Sequence, residues 1–184
     1  GDRAGNFAVQ NADLVFACGN RLSIRQVGYN WKTWAREAYV IVNDVDEAEL
    51  KKPTLHVDLP VWGDAKELLA KMVSRLEAEQ AAGNTPLFKE SSWVERCQEW
   101  KAKYPVVQKK HYKDKKPINV YAFMDILSRH LPEKSITVVA NGSASVVGSA
   151  AYYIKRGQRF IMNCAISSMG YDLPAAVGAC VAAE

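Results

Sequence analysis

The sequence predicts an α/β chain of two incomplete parallel-sheet units joined by a helical, lysine-rich linker. Three observations lead there. Residues 1 to about 80 alternate short apolar runs with helical patterns, the rhythm of a parallel sheet covered by helices. A similar rhythm returns from Asn119 onward, and between the two stretches lies a proline- and lysine-bearing segment with one short helical pattern.

Taken in order, Asn6 to Ala12 reads as a helix and Asp13 to Gly19 as a buried strand through Leu14, Val15, Phe16 and Ala17. Tyr39 to Val45 is a second strand, and His56 to Leu59 a weaker third. Asp64 to Glu79 is an amphipathic helix with Leu68, Leu69, Met72, Val73 and Leu76 on one face. Ala82-Gly83-Asn84-Thr85-Pro86 breaks that helix. Ser92 to Lys103 forms a short helix with Trp93, Cys97 and Trp100 at helical spacing, ended by Tyr104-Pro105, and the lysine-rich stretch closes at Pro117. Asn119 to His130 is a helix with Val120, Phe123, Met124 and Leu127 inward. Ile136 to Val139 is a strand, Asn141-Gly142-Ser143 a turn, Ser145 to Arg156 a helix, Phe160 to Asn163 a strand, and Asp172 onward a last helix. The expected organisation is therefore residues 1–82, 83–117 (linker with short helix) and 118–184, the two outer parts Rossmann-like and short of the ~4–6 strands a sheet commonly has.

Composition bounds the function. With 48% hydrophobic and 24% charged residues the chain reads as soluble and globular. Between Lys101 and Lys116 seven lysines meet one acid, Asp114, which reads as a solvated linker; a nucleic-acid surface on Lys109 to Lys116 is not expected. Cys18, Cys97, Cys164 and Cys180 are too scattered for a zinc site or a disulfide framework, and reduced buried thiols in the cytoplasm are expected. His56, His111 and His130 read as ordinary, partly exposed residues. The uncharged run from Ser135 to Ile154 is long enough to span a bilayer but too polar, so no membrane partner is expected. There is no initiator methionine, and the apolar pattern from Leu173 to Glu184 stops without a helix terminator, so the chain reads as cut at both ends.

Two turns carry the chemistry. Asn141-Gly142-Ser143 follows a strand and opens a helix, so its backbone N–H groups can face an anion with the helix dipole behind them, although any strand-to-helix turn favours these residues. In Ile166-Ser167-Ser168-Met169-Gly170-Tyr171 a small residue, a long flexible one and a glycine permit close backbone approach beside one projecting side chain. Read alone, a methionine such as Met169 is more often a core residue than a cofactor contact.

The segment Ser168 to Ala179, with its M-G-Y-x-L-P-A-A-x-G-A phrase, resembles the entry to the diphosphate-binding domain of thiamine-diphosphate enzymes of the acetolactate synthase family. Gly19-Asn20-Arg21-Leu22-Ser23-Ile24-Arg25-Gln26-Val27-Gly28, Ile41 to Leu50 and Trp62-Gly63-Asp64-Ala65 are similar to the central domain of the same family. The resemblance implies that Gly142, Ser143, Ser167, Met169 and Gly170 meet thiamine diphosphate. The Ser167 carbonyl would accept a bond from the aminopyrimidine, and Met169 would wedge between the two rings. It also implies that Gly19, Arg21, Arg25, Asp44, Val45 and Asp64 face FAD, or ADP, where the family binds one. Family members usually carry glycine at the Ser167 position, a longer polar residue at Ser143 and an acid at Ser23.

By the same resemblance the catalytic glutamate lies before residue 1 and the Mg²⁺ ligands after Glu184, leaving no catalytic or metal residue within this chain, which should be inactive alone. The implied activity is decarboxylation of a 2-oxo acid such as pyruvate with transfer of the two-carbon unit to a carbonyl acceptor, in a homodimer or tetramer. A decarboxylase or oxidase, transfer to a keto-sugar nucleotide, and a non-catalytic FAD- or ADP-binding module are the alternatives.

Overall fold

The computed structural model describes residues 2–84, 92–113, 116–164 and 166–183. It divides into two compact units, Gly1–Tyr104 and Pro105–Glu184.

In the first unit α1 (Arg3–Asn11) precedes β1 (Leu14–Cys18), α2 (Ile24–Val27), β2 (Tyr39–Asp44), α3 (Glu47–Leu50), β3 (Leu59–Trp62), α4 (Ala65–Ala81) and α5 (Ser92–Lys103). Helix α1 starts earlier than its apolar pattern because Asp2 caps it, accepting the Gly5 N–H at 2.5 Å. The sheet is parallel in the order β1-β2-β3, with Phe16, Ile41 and Leu59 in register.

Alternation along the strands splits the apolar residues between two faces. Ala17, Val40 and Val42 are buried with Leu22 and Ala35, against Val9, Val27 and Leu50 of the helices. The opposite face carries Leu14, Phe16, Tyr39 and Leu59, all exposed. The expectation that β1 is buried through four consecutive residues is thus corrected, because its apolar run serves one covered and one open face.

The third strand also moves, from the expected His56–Leu59 to Leu59–Trp62. Asp58 clamps Val40 by accepting its N–H at 2.7 Å and donating its own N–H to the Val40 carbonyl at 2.9 Å, and the ladder proper begins after it. Pro60 is tolerated because β3 is an edge strand of this sheet.

Helix α4 forms as expected, capped by Asp64 through the N–H groups of Lys66 (2.7 Å) and Glu67 (3.3 Å). Its Leu69, Met72, Val73 and Leu76 are nevertheless exposed. Helix α5 packs on α1 through Phe7, whose ring lies 5.8 Å from Trp100 and 5.2 Å from Tyr104. The break after α4 appears at Ala82 to Asn84, while Thr85 and Pro86 lie outside the described residues.

The second unit contains a short 3-10 turn at Lys109–Tyr112, then α6 (Val120–His130), β4 (Ile136–Val139), α7 (Gly142–Ala151), β5 (Arg159–Met162) and α8 (Asp172–Val181). Asp114 and Lys115 of the lysine run lie outside the described residues. Strands β4 and β5 pair in parallel, Val139 opposite Met162.

Helices cover both faces. On one, Gly148 of α7 approaches Phe160, which stacks on Tyr152, and the Tyr152 and Thr137 hydroxyls bond at 2.8 Å. On the other, Ile136 and Ile161 border a cavity of about 400 Å³ under Ala175 and Ala179 of α8.

Helix α7 begins and ends earlier than the expected Ser145–Arg156, since Tyr152 is already extended. In α6 the expected inward Phe123 is exposed, and Asp125 is buried instead. Its carboxylate is satisfied by Arg129 Nε (2.9 and 3.0 Å) and by the Tyr112 hydroxyl (2.7 Å), so a polar residue can face inward there. The four cysteines are free, but Cys164 and Cys180 are exposed and Cys18 and Cys97 half-buried, which corrects the expectation of buried thiols. Among the described residues no helix is long and apolar enough to cross a membrane.

Candidate functional site

In a parallel sheet the loops after successive strands emerge on one edge, and open α/β folds take ligands there. In the second unit the loops after β4 and β5 both open on that edge, because Val139 and Met162 end their strands side by side.

Behind the first loop, Ala140 is buried and Asn141 extended, and Gly142 turns into α7 with φ 61°, a left-handed value that favours glycine. Asn141 makes no capping bond, and Gly142, Ser143 and Ala144 at the start of α7 are exposed. Their first-turn N–H groups, with the positive end of the dipole, offer donors to an anion.

The second loop holds its backbone in two left-handed conformations, Ser167 at φ 55° and Gly170 at φ 81°. Ser167 is half-buried, whereas Met169 between them is 86% exposed and Ile166 is exposed too. The value at Ser167 is one that favours glycine, which the resemblance described above leads one to expect at this position. Tyr171 and Asp172 then start α8, with Pro174 inside its first turn, where an N–H is not needed. This edge thus pairs anion donors with a flexible apolar side chain beside an upturned backbone, a donor set that fits a diphosphate carrying aromatic rings. Of the five residues expected to meet thiamine diphosphate, Gly142 and Ser143 start α7 directly after the first loop, and Ser167, Met169 and Gly170 lie on the second.

In the first unit Gly19, Asp44, Val45 and Asp64 lie at or just beyond the C-terminal ends of β1, β2 and β3, and Arg21 and Arg25 on the segment after β1. Gly19 has φ 58° and bonds the Asn43 carbonyl at 2.9 Å. Polar groups here are already engaged. Arg21 pairs with Glu49 at 2.6 Å, Asp44 accepts the Asp46 N–H at 2.9 Å, and Asp64 caps α4. Lys52 and then Arg21 hold the Glu49 carboxyl below its ordinary range.

The sequence reading assigns no role to two further residues. Asn43, fully buried, donates to the carbonyls of Val61 (3.0 Å) and Gly63 (2.9 Å) and accepts from the Cys18 thiol (3.4 Å), tying the ends of all three strands. A polar residue in an apolar strand, Val-Ile-Val-Asn, is the signal that marks it. Trp62 stands exposed at the end of β3. Among the described residues no three His, Cys, Asp or Glu side chains gather in a way that could hold a metal ion.

Residues 1–72 match the family described as thiamine pyrophosphate enzyme, central domain. Over 97% of its length the chain is 28% identical to the acetolactate synthase isozyme 3 large subunit of Escherichia coli. It is 30% identical over 99% to a probable acetolactate synthase large subunit of Methanocaldococcus jannaschii, and 29% over 94% to the large subunit of Corynebacterium glutamicum. The first 72 residues thus match a thiamine pyrophosphate enzyme domain, and nearly the whole chain is similar to acetolactate synthase large subunits. It spans 26–30% of the length of these three relatives. The matched central-domain region contains the whole three-stranded sheet of the first unit, and the likeness to acetolactate synthases continues through both loops of the second.

Proposed function

We propose that this chain carries one wall of the thiamine-diphosphate site of a carboligase, which decarboxylates pyruvate or a similar 2-oxo acid and delivers the two-carbon unit to a carbonyl acceptor. The observation supporting it is the shared edge of β4 and β5, where the uncapped start of α7 and the exposed Met169 loop lie on adjacent strands. When bound, thiamine diphosphate supplies the carbon nucleophile that takes up the 2-oxo acid and lets carbon dioxide leave.

The residues of this chain bind and orient. The N–H groups of Gly142 and Ser143 would hold the diphosphate. The carbonyl of Ser167 would accept a hydrogen bond from the aminopyrimidine, and Met169 would press its flexible apolar side chain against the cofactor's rings to orient them. The left-handed turns at Ser167 and Gly170 let the backbone approach without a side chain intervening. Proton transfer and Mg²⁺ binding are assigned to parts of the protein outside this chain. In the same reading FAD or ADP would bind at the C-terminal edge of the first unit's sheet, near Gly19, Arg21, Arg25, Asp44, Val45 and Asp64. The assembly is a cytoplasmic homodimer or tetramer.

Product analysis tests this reading. Pyruvate is supplied with thiamine diphosphate and Mg²⁺ to the chain alone and to the chain within its natural coding context. The expected result is carboligation product only from the longer protein, with candidate acceptors then separating acetolactate formation from simple decarboxylation and from transfer to a keto-sugar. Appreciable turnover by the chain alone would contradict the division of labour.

A further inference from the structure

Trp62 is the most exposed of the five tryptophans, with 68% of its surface in solvent. Trp93, the other exposed one, packs edge-on against Trp100 at 5.8 Å. Trp62 is nonetheless held at its polar end, because its indole Nε1 donates to the Val45 carbonyl at 3.0 Å. A large ring fixed by one bond and left with its apolar surface in water is a prepared contact surface.

Its place in the fold narrows what it contacts. Trp62 ends β3 opposite Asp44, on the C-terminal edge of the parallel sheet. Beside it Gly63 leaves open space where a side chain would stand, and Val45 is exposed. Gly19 turns at the end of β1 on the same edge. An aromatic ring also suits a protein partner, but an edge of parallel strands with glycines allowing backbone approach is where open α/β sheets take small ligands.

We propose that Trp62 is the stacking platform for the planar heteroaromatic ring of a nucleotide bound at this edge. The proposal rests on the nucleotide reading of the first unit given above and adds the residue that grips the ring. The ring is adenine or isoalloxazine, and the test separates the two.

ADP, FMN and FAD are titrated separately into the protein, reading both the heat of binding and tryptophan emission. The expected result is that FAD binds and quenches emission, that Trp62→Ala weakens binding about tenfold or more, and that Trp62→Phe stays within about threefold while losing the share of the quenching that Trp62 supplies. Dependence on Trp62 shown by ADP identifies adenine as the stacked ring, and dependence shown by FMN identifies isoalloxazine. Should Trp62→Ala misfold by circular dichroism, lost quenching with kept affinity in Trp62→Phe still supports stacking. Quenching undiminished in Trp62→Phe overturns it. FAD binding with unchanged affinity in a folded Trp62→Ala variant overturns the stacking and leaves the nucleotide site standing. Failure of all three nucleotides to bind overturns both and assigns Trp62 to a protein contact.

Discussion

Replacing Gly148 tests whether α7 is seated on β5 as described, and the size of the effect can be worked from the structure. A Cβ at Gly148 would lie 3.1 Å from Phe160 Cζ and 3.5 Å from Met124 Cε. Phe160 is itself backed by Tyr152, with ring centroids 4.9 Å apart, so it can yield only a few tenths of an ångström. Against this, any ordinary residue gains helix propensity over glycine, about 0.8–1.0 kcal/mol for alanine and less than half of that for valine. For Gly148→Ala gain and crowding nearly cancel. Gly148→Val adds two further methyl groups where overpacking costs about 1–3 kcal/mol, a net loss of about 1–2 kcal/mol. Amide hydrogen exchange of Thr137 to Val139 and Phe160 to Met162 reads this locally, with rates expected to rise roughly 5–30-fold in Gly148→Val and to change little in Gly148→Ala. Unchanged exchange in Gly148→Val would refute the packing of α7 that positions Gly142.

Other perturbations probe the supports of each edge. Asp125→Asn should cost about 2 kcal/mol at neutral pH, since it takes the charge from a buried hydrogen-bonded cluster. Arg129 first, and then Tyr112, hold the Asp125 carboxyl below its usual range. The stability this contributes is complete above about pH 4 and lost as the pH falls through the lower folded value, so Asp125→Asn should flatten the acid limb of a denaturation-midpoint series. A variant with the wild-type acid limb would contradict this. Asn43→Ala leaves the Val61 and Gly63 carbonyls without their donor and should lower stability by about 2–3 kcal/mol in urea denaturation.

The strands and most helices were legible because the chain alternates its apolar runs with helical periods, and α5 and β4 fall on the residues that the pattern marks. Positions fixed by side-chain chemistry at element ends were harder to read. The Asp58 clamp displaced β3, the Asp2 cap extended α1, and the Tyr112–Asp125–Arg129 cluster turned α6 to bury Asp125 in place of Phe123. Periodicity marks an apolar face without saying what covers it, so the exposure of Leu14 and Phe16, and of one face of α4, could not be read from spacing. In the candidate sites the Ser167 and Met169 loop was visible as a phrase of residue types, whereas its left-handed turns are tertiary facts. Trp62 is legible only as part of the Trp62-Gly63-Asp64-Ala65 phrase; its exposure and its place at the end of β3 are not, because the strand boundary falls elsewhere in the sequence pattern.

The central claim is that the loops at Gly142 and Met169 together form a thiamine-diphosphate wall. Titrating thiamine diphosphate with Mg²⁺ into the chain within its natural coding context, isotope-labelled, and following the backbone amide resonances of this chain tests it most directly. The account predicts shifts concentrated at Gly142, Ser143 and Ser167 to Gly170, and absent from the strands of the first unit. Shifts centred on any other part of the chain, or none at these residues at saturating ligand, would contradict it.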